Sequence, residues 1–437
     1  MVFDLGLQST GDLANLATIV GASAASLGRQ IREHFEKRTA DDQVELRAAR
    51  LQAARKVVES GLHRHVLARL YPSSDLRREG LDPYQLVIDG NTAPTGVVVL
   101  HDLKDARFGL HPKDGRFQLR SGEPRLPPPE DVAAAVAADV AFRGLRVWND
   151  PVFRLVEAEE GGRSFAFGLD DFFSYRYGIG ALPDELVQAL VNAESDIENL
   201  LADREKLLPF REIFMADARR VAAFRKRLCP GGVSMVVAMR RPKPWNDYVV
   251  PVQRRASVLA GNQAALGVVP HAYHQPMVDP NAEIGLFTTA MRELYEELFG
   301  GDEVAQQAVK IRRLRPDWYM LEAGALKWLS KNPRDWSLSC TLFGIDLGSG
   351  NWDASLLLKI DSTRFWTAFG AQLRANWEVA EELVPLVSTQ DGDAIGALVR
   401  RREWTTVGLT AFCRALVTLR AAEPQRVARL DFDERIG

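Results

Sequence analysis

Apolar residues recur at helical spacing early in the chain. Val44, Leu51, Ala54, Val58, Leu62 and Val66 fall near one face of a helix predicted over 42–70. The stretch 13–27, rich in Ala, Ser and Gly, predicts a packed helix pair, so residues 1–71 are expected to be a helical region. The pattern then changes. Residues 97–100 and 117–119 are short apolar runs between turn signals such as Asp89-Gly90-Asn91 and Lys113-Asp114-Gly115, and they predict strands. Pro127-Pro128-Pro129 is a stiff break before a helix over 130–142. Residues 152–157 and 163–167 predict a strand pair. Phe172, Phe173, Tyr175 and Tyr177 follow, favoured as core residues of a small sheet, with stacking on a base as the alternative. Two helices, 184–203 and 211–228, bridge to Pro230-Gly231-Gly232, where a domain boundary is placed. Residues 72–228 thus read as a small α+β region.

From 229 to 437 the order is strand (233–241), strand (249–255), strand (266–270), loop (271–276) and helix (286–299). A short strand over 309–314, a strand pair (337–346 and 354–360), a helix over 366–384 and a closing helix over 405–419 complete the chain, with a charged tail. The fold class predicted for this part is α+β.

Composition bounds the function without naming it. The 437 residues are 46% hydrophobic and 26% charged, ordinary values for a globular protein of two or three domains. A net charge of −3 gives no general attraction to nucleic acid or anionic membrane. The three cysteines, Cys229, Cys340 and Cys413, lie far apart without metal-ligand spacing, which points to a reducing cytoplasm and no disulfide framework. No apolar run reaches the ~18 residues a spanning helix needs, and the N-terminus lacks the charged region of a secretory signal. In 13–27, the spacing of Ala17, Gly21 and Leu27 also fits a helix-turn-helix, whose second helix would carry Arg29, Gln30 and Arg32 to DNA. One such spacing is a weak signal, and a plain helical hairpin is the favoured alternative.

The chemistry concentrates in the predicted helix over 286–299. Arg292 and Glu296 are four apart, as are Glu293 and Glu297, so three carboxylates and one guanidinium share a stripe. Met291, Leu294 and Leu298 turn the other way, towards a core. Three acids on one stripe repel each other. Arg292 offsets one, and Mg²⁺, which takes a few carboxylates together with phosphate oxygens and water, would offset the others. Arg255 is a candidate phosphate contact, its alternative being a surface arginine on an edge strand. His271 and His274 stand just before the helix, as substrate contacts or proton donors on one view and as structural loop residues on the other.

The run Arg292-Glu293-Leu294-Tyr295-Glu296-Glu297 resembles the core of the Nudix box. The resemblance implies an α/β/α sandwich with a mixed sheet. It also implies Mg²⁺- or Mn²⁺-dependent hydrolysis of a nucleoside diphosphate linked to another group. By the same resemblance Glu296 and Glu297 are metal ligands, Glu293 is a ligand or the general base, and Arg292 orients the carboxylates; His274 and Arg255 would face the substrate. The flanks depart from the family pattern. Phe299 stands where the box has Gly, and Ile284 where it has Glu, with Glu283 one residue early. The competing expectation is a Nudix-like sensor that binds a nucleotide-like ligand with little or no hydrolysis and signals through the N-terminal helices to DNA or a protein partner.

Overall fold

The computed structural model describes residues 40–102, 108–143, 149–159, 164–254, 265–299, 320, 324–373 and 385–437. The helix predicted over 42–70 is two helices, α1 (Ala40–Ser60) and α2 (Leu62–Leu70). Between them Gly61 takes a φ of 69°, a left-handed conformation open to glycine at little cost. The predicted helix pair over 13–27 and its DNA-reading alternative lie outside the described residues.

Strands β1 (Asp82–Ile88) and β2 (Asn91–Asp102) form a hairpin. A small sheet follows, built from β3 (Phe117–Leu119), β4 (Pro151–Ala158) and β5 (Phe165–Asp171), with helix α3 (Glu130–Arg143) between β3 and β4. Phe172, Phe173, Tyr175 and Tyr177 are buried beyond β5, as expected of core residues. Helix α4 (Leu182–Asn192) comes next. The two long helices predicted for this stretch are several short ones. Asp196 accepts hydrogen bonds from the amides of Glu198 and Asn199, and Asp217 from that of Arg220, each starting a new helix. Pro209, at the start of Pro209–Met215, cannot continue a preceding one.

The C-terminal part supplies β6 (Gly231–Arg240), β7 (Tyr248–Arg254), β8 (Leu266–Val268), β9 (His271–Tyr273) and helix α5 (Leu286–Glu293), which runs on into a π-helical turn, Leu294–Leu298. Then come β10 (Trp336–Asp346), β11 (Trp352–Ile360), helix α6 (Thr363–Phe369), β12 (Leu386–Ser388), helix α7 (Thr406–Ala422) and β13 (Phe432–Ile436). The main sheet has the order β12-β7-β6-β11-β10-β2-β1-β13, with β8 on β7 and β9 on β6. It is mixed: β6 and β11 pair parallel, and its other pairs are antiparallel.

The sheet crosses the boundary drawn near residue 229. Strands β1 and β2, from the middle of the chain, extend it beyond β10, and the charged tail closes it as β13. The free edge of β10 needs partners for its amides and carbonyls, and the apolar run in β2 supplies them. Alternation along β6 splits the core into two layers. Val233, Met235, Val237 and Met239 join Leu286, Ala290, Met291, Leu294 and Leu298 of the acidic segment. Val236 and Ala238 face Leu409, Phe412, Cys413 and Leu416 of α7. Helices therefore cover both faces of the sheet. The small sheet docks through aromatics: Phe165 lies 4.3 Å from Phe343, and Phe167 5.3 Å from Trp352, between ring centroids. Among the described residues no helix is long and apolar enough to cross a membrane.

Candidate functional site

The acidic segment is held by its apolar face and by its first amides. Its apolar residues, Leu286, Met291, Leu294 and Leu298, are fully buried against β6. At its start, the amides of Leu286 and Phe287 donate to the carbonyls of Gly109 and Leu110, at 2.9 and 3.0 Å. Gly285 permits this approach, because a Cβ there would stand 2.5 Å from the Leu110 carbonyl oxygen. At its end the regular helix gives way to the π-helical turn, which carries Glu296 and Glu297. The wider π turn changes the angular relation of Glu297 to Glu293 from that of two residues four apart in an α-helix, and such turns recur at functional sites.

Arg292, Glu293 and Glu297 are all buried, and Glu296 is half-buried. Arg292 donates through Nε and Nη2 to Glu293 Oε1, at 3.0 and 2.9 Å, and through Nη1 to the Gln275 carbonyl at 3.2 Å. Arg292 and Glu293 are thus an ion pair, with 2.9 Å between Nη2 and Oε1. Glu297 reaches the other way. Its Oε1 accepts the His271 amide at 3.2 Å, and its Oε2 lies 3.5 Å from Gln253 Nε2. Among the described residues, the Arg292 guanidinium, the His271 amide and the Gln253 side chain offset charge on the stripe.

This tests the fit of a divalent ion. Among the described residues no three His, Cys, Asp or Glu side chains converge to hold a metal together. Glu293, Glu296 and Glu297 are thus not a ready-made three-carboxylate cage, as a three-ligand reading of the stripe would require. Mg²⁺ commonly makes a more modest demand, one or two carboxylates completed by substrate phosphates and water.

His274 departs from its expected role as a substrate contact. It is fully buried, stacked on Phe153 at 4.5 Å. Its Nε2 lies 3.0 Å from the Ile284 carbonyl and its Nδ1 2.8 Å from Thr289 Oγ1. A carbonyl only accepts, so Nε2 carries the proton and Nδ1 accepts from the threonine. Burial pushes its pKa down to about 3, so the ring is neutral and serves as a brace between β9 and α5. Arg255 lies outside the described residues.

Glu283, one residue off the family position, is also structural. Its Oε2 accepts the amides of Met277, Val278 and Asp279, at 2.8–3.0 Å, and shapes the loop before α5. Two neighbours escape sequence reasoning. Gln253 is at the end of β7, and its approach to Glu297 depends on strand pairing. The second is a chain of side chains on three strands. Ser234 Oγ donates to Asp353 Oδ1 at 2.8 Å and lies 2.9 Å from His271 Nδ1. Burial raises the Asp353 carboxyl to about 7. The polar Ser234 amid the apolar residues 233–239 of β6 is the one available sign.

In comparisons with known proteins, no family model and no curated protein matches the chain.

Proposed function

We propose that residues 229–437, with β1 and β2 completing the sheet, are a Nudix-like module that hydrolyses a nucleoside diphosphate-linked substrate with Mg²⁺ or Mn²⁺ in the cytoplasm. The observation that carries this is the burial of two carboxylates, Glu293 and Glu297, in one short segment whose helix is re-registered by a π turn where the acids stand. Burying acids is costly, and a protein that keeps them has a use for their charge. A bound divalent ion supplies an activated water and charge neutralisation at a diphosphate. Glu296 and Glu297 are the residues that would hold it. Arg292 fixes Glu293, which then stands as the base. The amide of His271 and the side chain of Gln253 hold Glu297 in place.

A second reading has its own observation. Glu293 is already neutralised by Arg292, and Glu297 already accepts from His271. That arrangement suits a module that binds a nucleotide-like ligand without turning it over and passes the signal to a protein or DNA partner through its N-terminal helices. One experiment separates the two. The full chain is incubated with Mg²⁺ and a panel of dinucleoside polyphosphates, nucleotide sugars and NAD, with calorimetry and phosphate release followed in parallel. Turnover of any member supports hydrolysis, and saturable heat without turnover supports the binding module. Neither signal across the panel ends both.

A further inference from the structure

The main sheet ends in two strands of different kinds. One edge is β12, three residues long, and a short edge offers little to a second strand. The other is β13, five residues long. It pairs with β1 on one side and, among the described residues, with no strand on the other. The direction of its backbone groups follows from that pairing. The Gly437 amide donates to the Pro83 carbonyl at 3.5 Å, so Gly437, Arg435 and Asp433 turn their N–H and C=O groups to β1. Phe432, Glu434 and Ile436 turn theirs outwards.

The side chains alternate in step. Phe432 and Ile436 pack into the α7-side core. Glu434 lies on the same face, 2.8 Å from Arg414 of α7, with 9% of its side chain exposed. Asp433 and Arg435 point to the other face, and both are exposed. Charges on an edge strand usually keep other strands away. These two have opposite signs and flank one residue, so the strand is complementary to itself. Turning a second β13 about a two-fold axis at Glu434 lays it antiparallel to the first. Glu434 then faces Glu434 of the second copy, and Phe432 faces its Ile436. All of these residues have outward backbone groups, so each such pair exchanges both hydrogen bonds. Between them Asp433 faces Arg435 of the second copy, and Arg435 faces its Asp433. These fall at the non-hydrogen-bonded positions, where side chains lie closest and opposite charges attract. An axis at Asp433 or at Arg435 would instead set that charge against its own copy. The Glu434 carboxylates at the axis are each covered by an Arg414.

We propose that β13 is an interface between two copies of this chain, which join their main sheets edge to edge about an axis at Glu434. The contact uses the same strand on both copies, so it closes as a dimer and does not propagate. It does not depend on the chemistry proposed at the acidic turn. A strand of this length buries little area, so the dissociation constant is expected on the order of micromolar. The test is sedimentation equilibrium of the full chain across the micromolar range. Wild type is expected to show a monomer–dimer equilibrium. Asp433→Arg and Arg435→Asp, both at exposed positions, each set like charges opposite one another twice. Each is expected to weaken the dimer by roughly tenfold or more, with an unchanged circular dichroism spectrum. The double exchange, Asp433→Arg with Arg435→Asp, is expected to restore it. An equal mixture of the two single variants sets two arginines on one copy against two aspartates on the other, and is expected to dimerise at least as well as wild type. A wild-type chain that stays monomeric, single variants that dimerise like wild type, or a mixture that stays monomeric would each overturn the proposal.

Discussion

The two faces of the main sheet are covered by helices of opposite character. On one face α7 is a single regular helix of 17 residues, started by its own side chain: Thr405 Oγ1 accepts the Gly408 amide at 3.0 Å. Its apolar side chains pack across β2, β6, β8, β10 and β11. On the other face α5 has only eight regular residues before the π turn. Its first amides are satisfied by the backbone of Gly109 and Leu110, borrowed from another part of the chain. It buries Arg292, Glu293 and Glu297, whereas Phe412, Cys413, Ala415 and Leu416 form the buried centre of α7. Both segments hold the sheet. Only the second gives up helical regularity and buries charge, and that is where a function is expected to reside.

The sharpest way to test this contrast is Glu297→Gln. Glutamine keeps an oxygen to accept the His271 amide, so the turn retains its brace. It loses the charge. Metal-dependent turnover is expected to fall by roughly a hundredfold, at least the loss that follows removal of a partner supporting a metal ligand, with little change in melting temperature. Kinetics on whichever substrate the panel identifies, with a thermal melt alongside, checks both halves. Wild-type turnover by this variant would make the acidic face as structural as the α7 face.

How much of this was legible beforehand varies with the range of the interactions. Strand β6 was legible because nine of its ten residues are buried and, apart from Ser234 and the terminal Arg240, they are apolar or glycine. The closing helix was legible from its periodicity, and Thr405 marks its start. The union of β1 and β2 with β10 was not, since the pairing of Val97 with Asp346 joins positions far apart in sequence and no local pattern encodes it. Strand β13 left a trace that the charge of the tail obscured: Phe432, Glu434 and Ile436 alternate with the exposed Asp433 and Arg435. At the site, the Arg292–Glu297 run was legible as a cluster on one helix. Its π turn, the Glu297–His271 contact and the Ser234–Asp353 bond were not, because each depends on where β9 and β11 lie beside β6.

A smaller effect separates the faces by pH. Asp353 lies on β11 among the residues that alternate towards α7, with Ser355 and Leu357. Burial lifts its pKa from 3.8 to about 7, so between those values the folded state holds a proton that the unfolded state has released. Stability from this group is therefore complete below about pH 4 and is lost as pH rises through about 7. Asp353→Asn, which stays neutral, is expected to flatten that slope by on the order of 1 kcal/mol per pH unit. Urea unfolding of wild type and variant across this range checks it. Identical slopes would place the Asp353 carboxyl in contact with water and not in the α7-side core. Glu185 slopes in the same direction in both proteins and cancels from the difference.

The smallest expected effect lies at the helix starts. Thr405→Ala removes the side-chain cap of α7 and is expected to cost about 1 kcal/mol of stability, seen as a lower urea midpoint with an unchanged m-value. Turnover at the acidic segment should not respond, because α7 reaches that segment only through the sheet between them. The equivalent change at the start of α5 is not so mild. Any Cβ at Gly285 would press on the carbonyl of Leu110 and on His111 Cα, 2.9 Å away, and so displace the very carbonyls that satisfy the helix. One helix can lose its cap and keep its position, since a broad apolar face holds it. The other owes its position to the backbone that caps it, so a shift there would move Arg292 and both buried acids together. A Thr405→Ala variant that lost turnover along with stability would show the two faces to be coupled through the sheet.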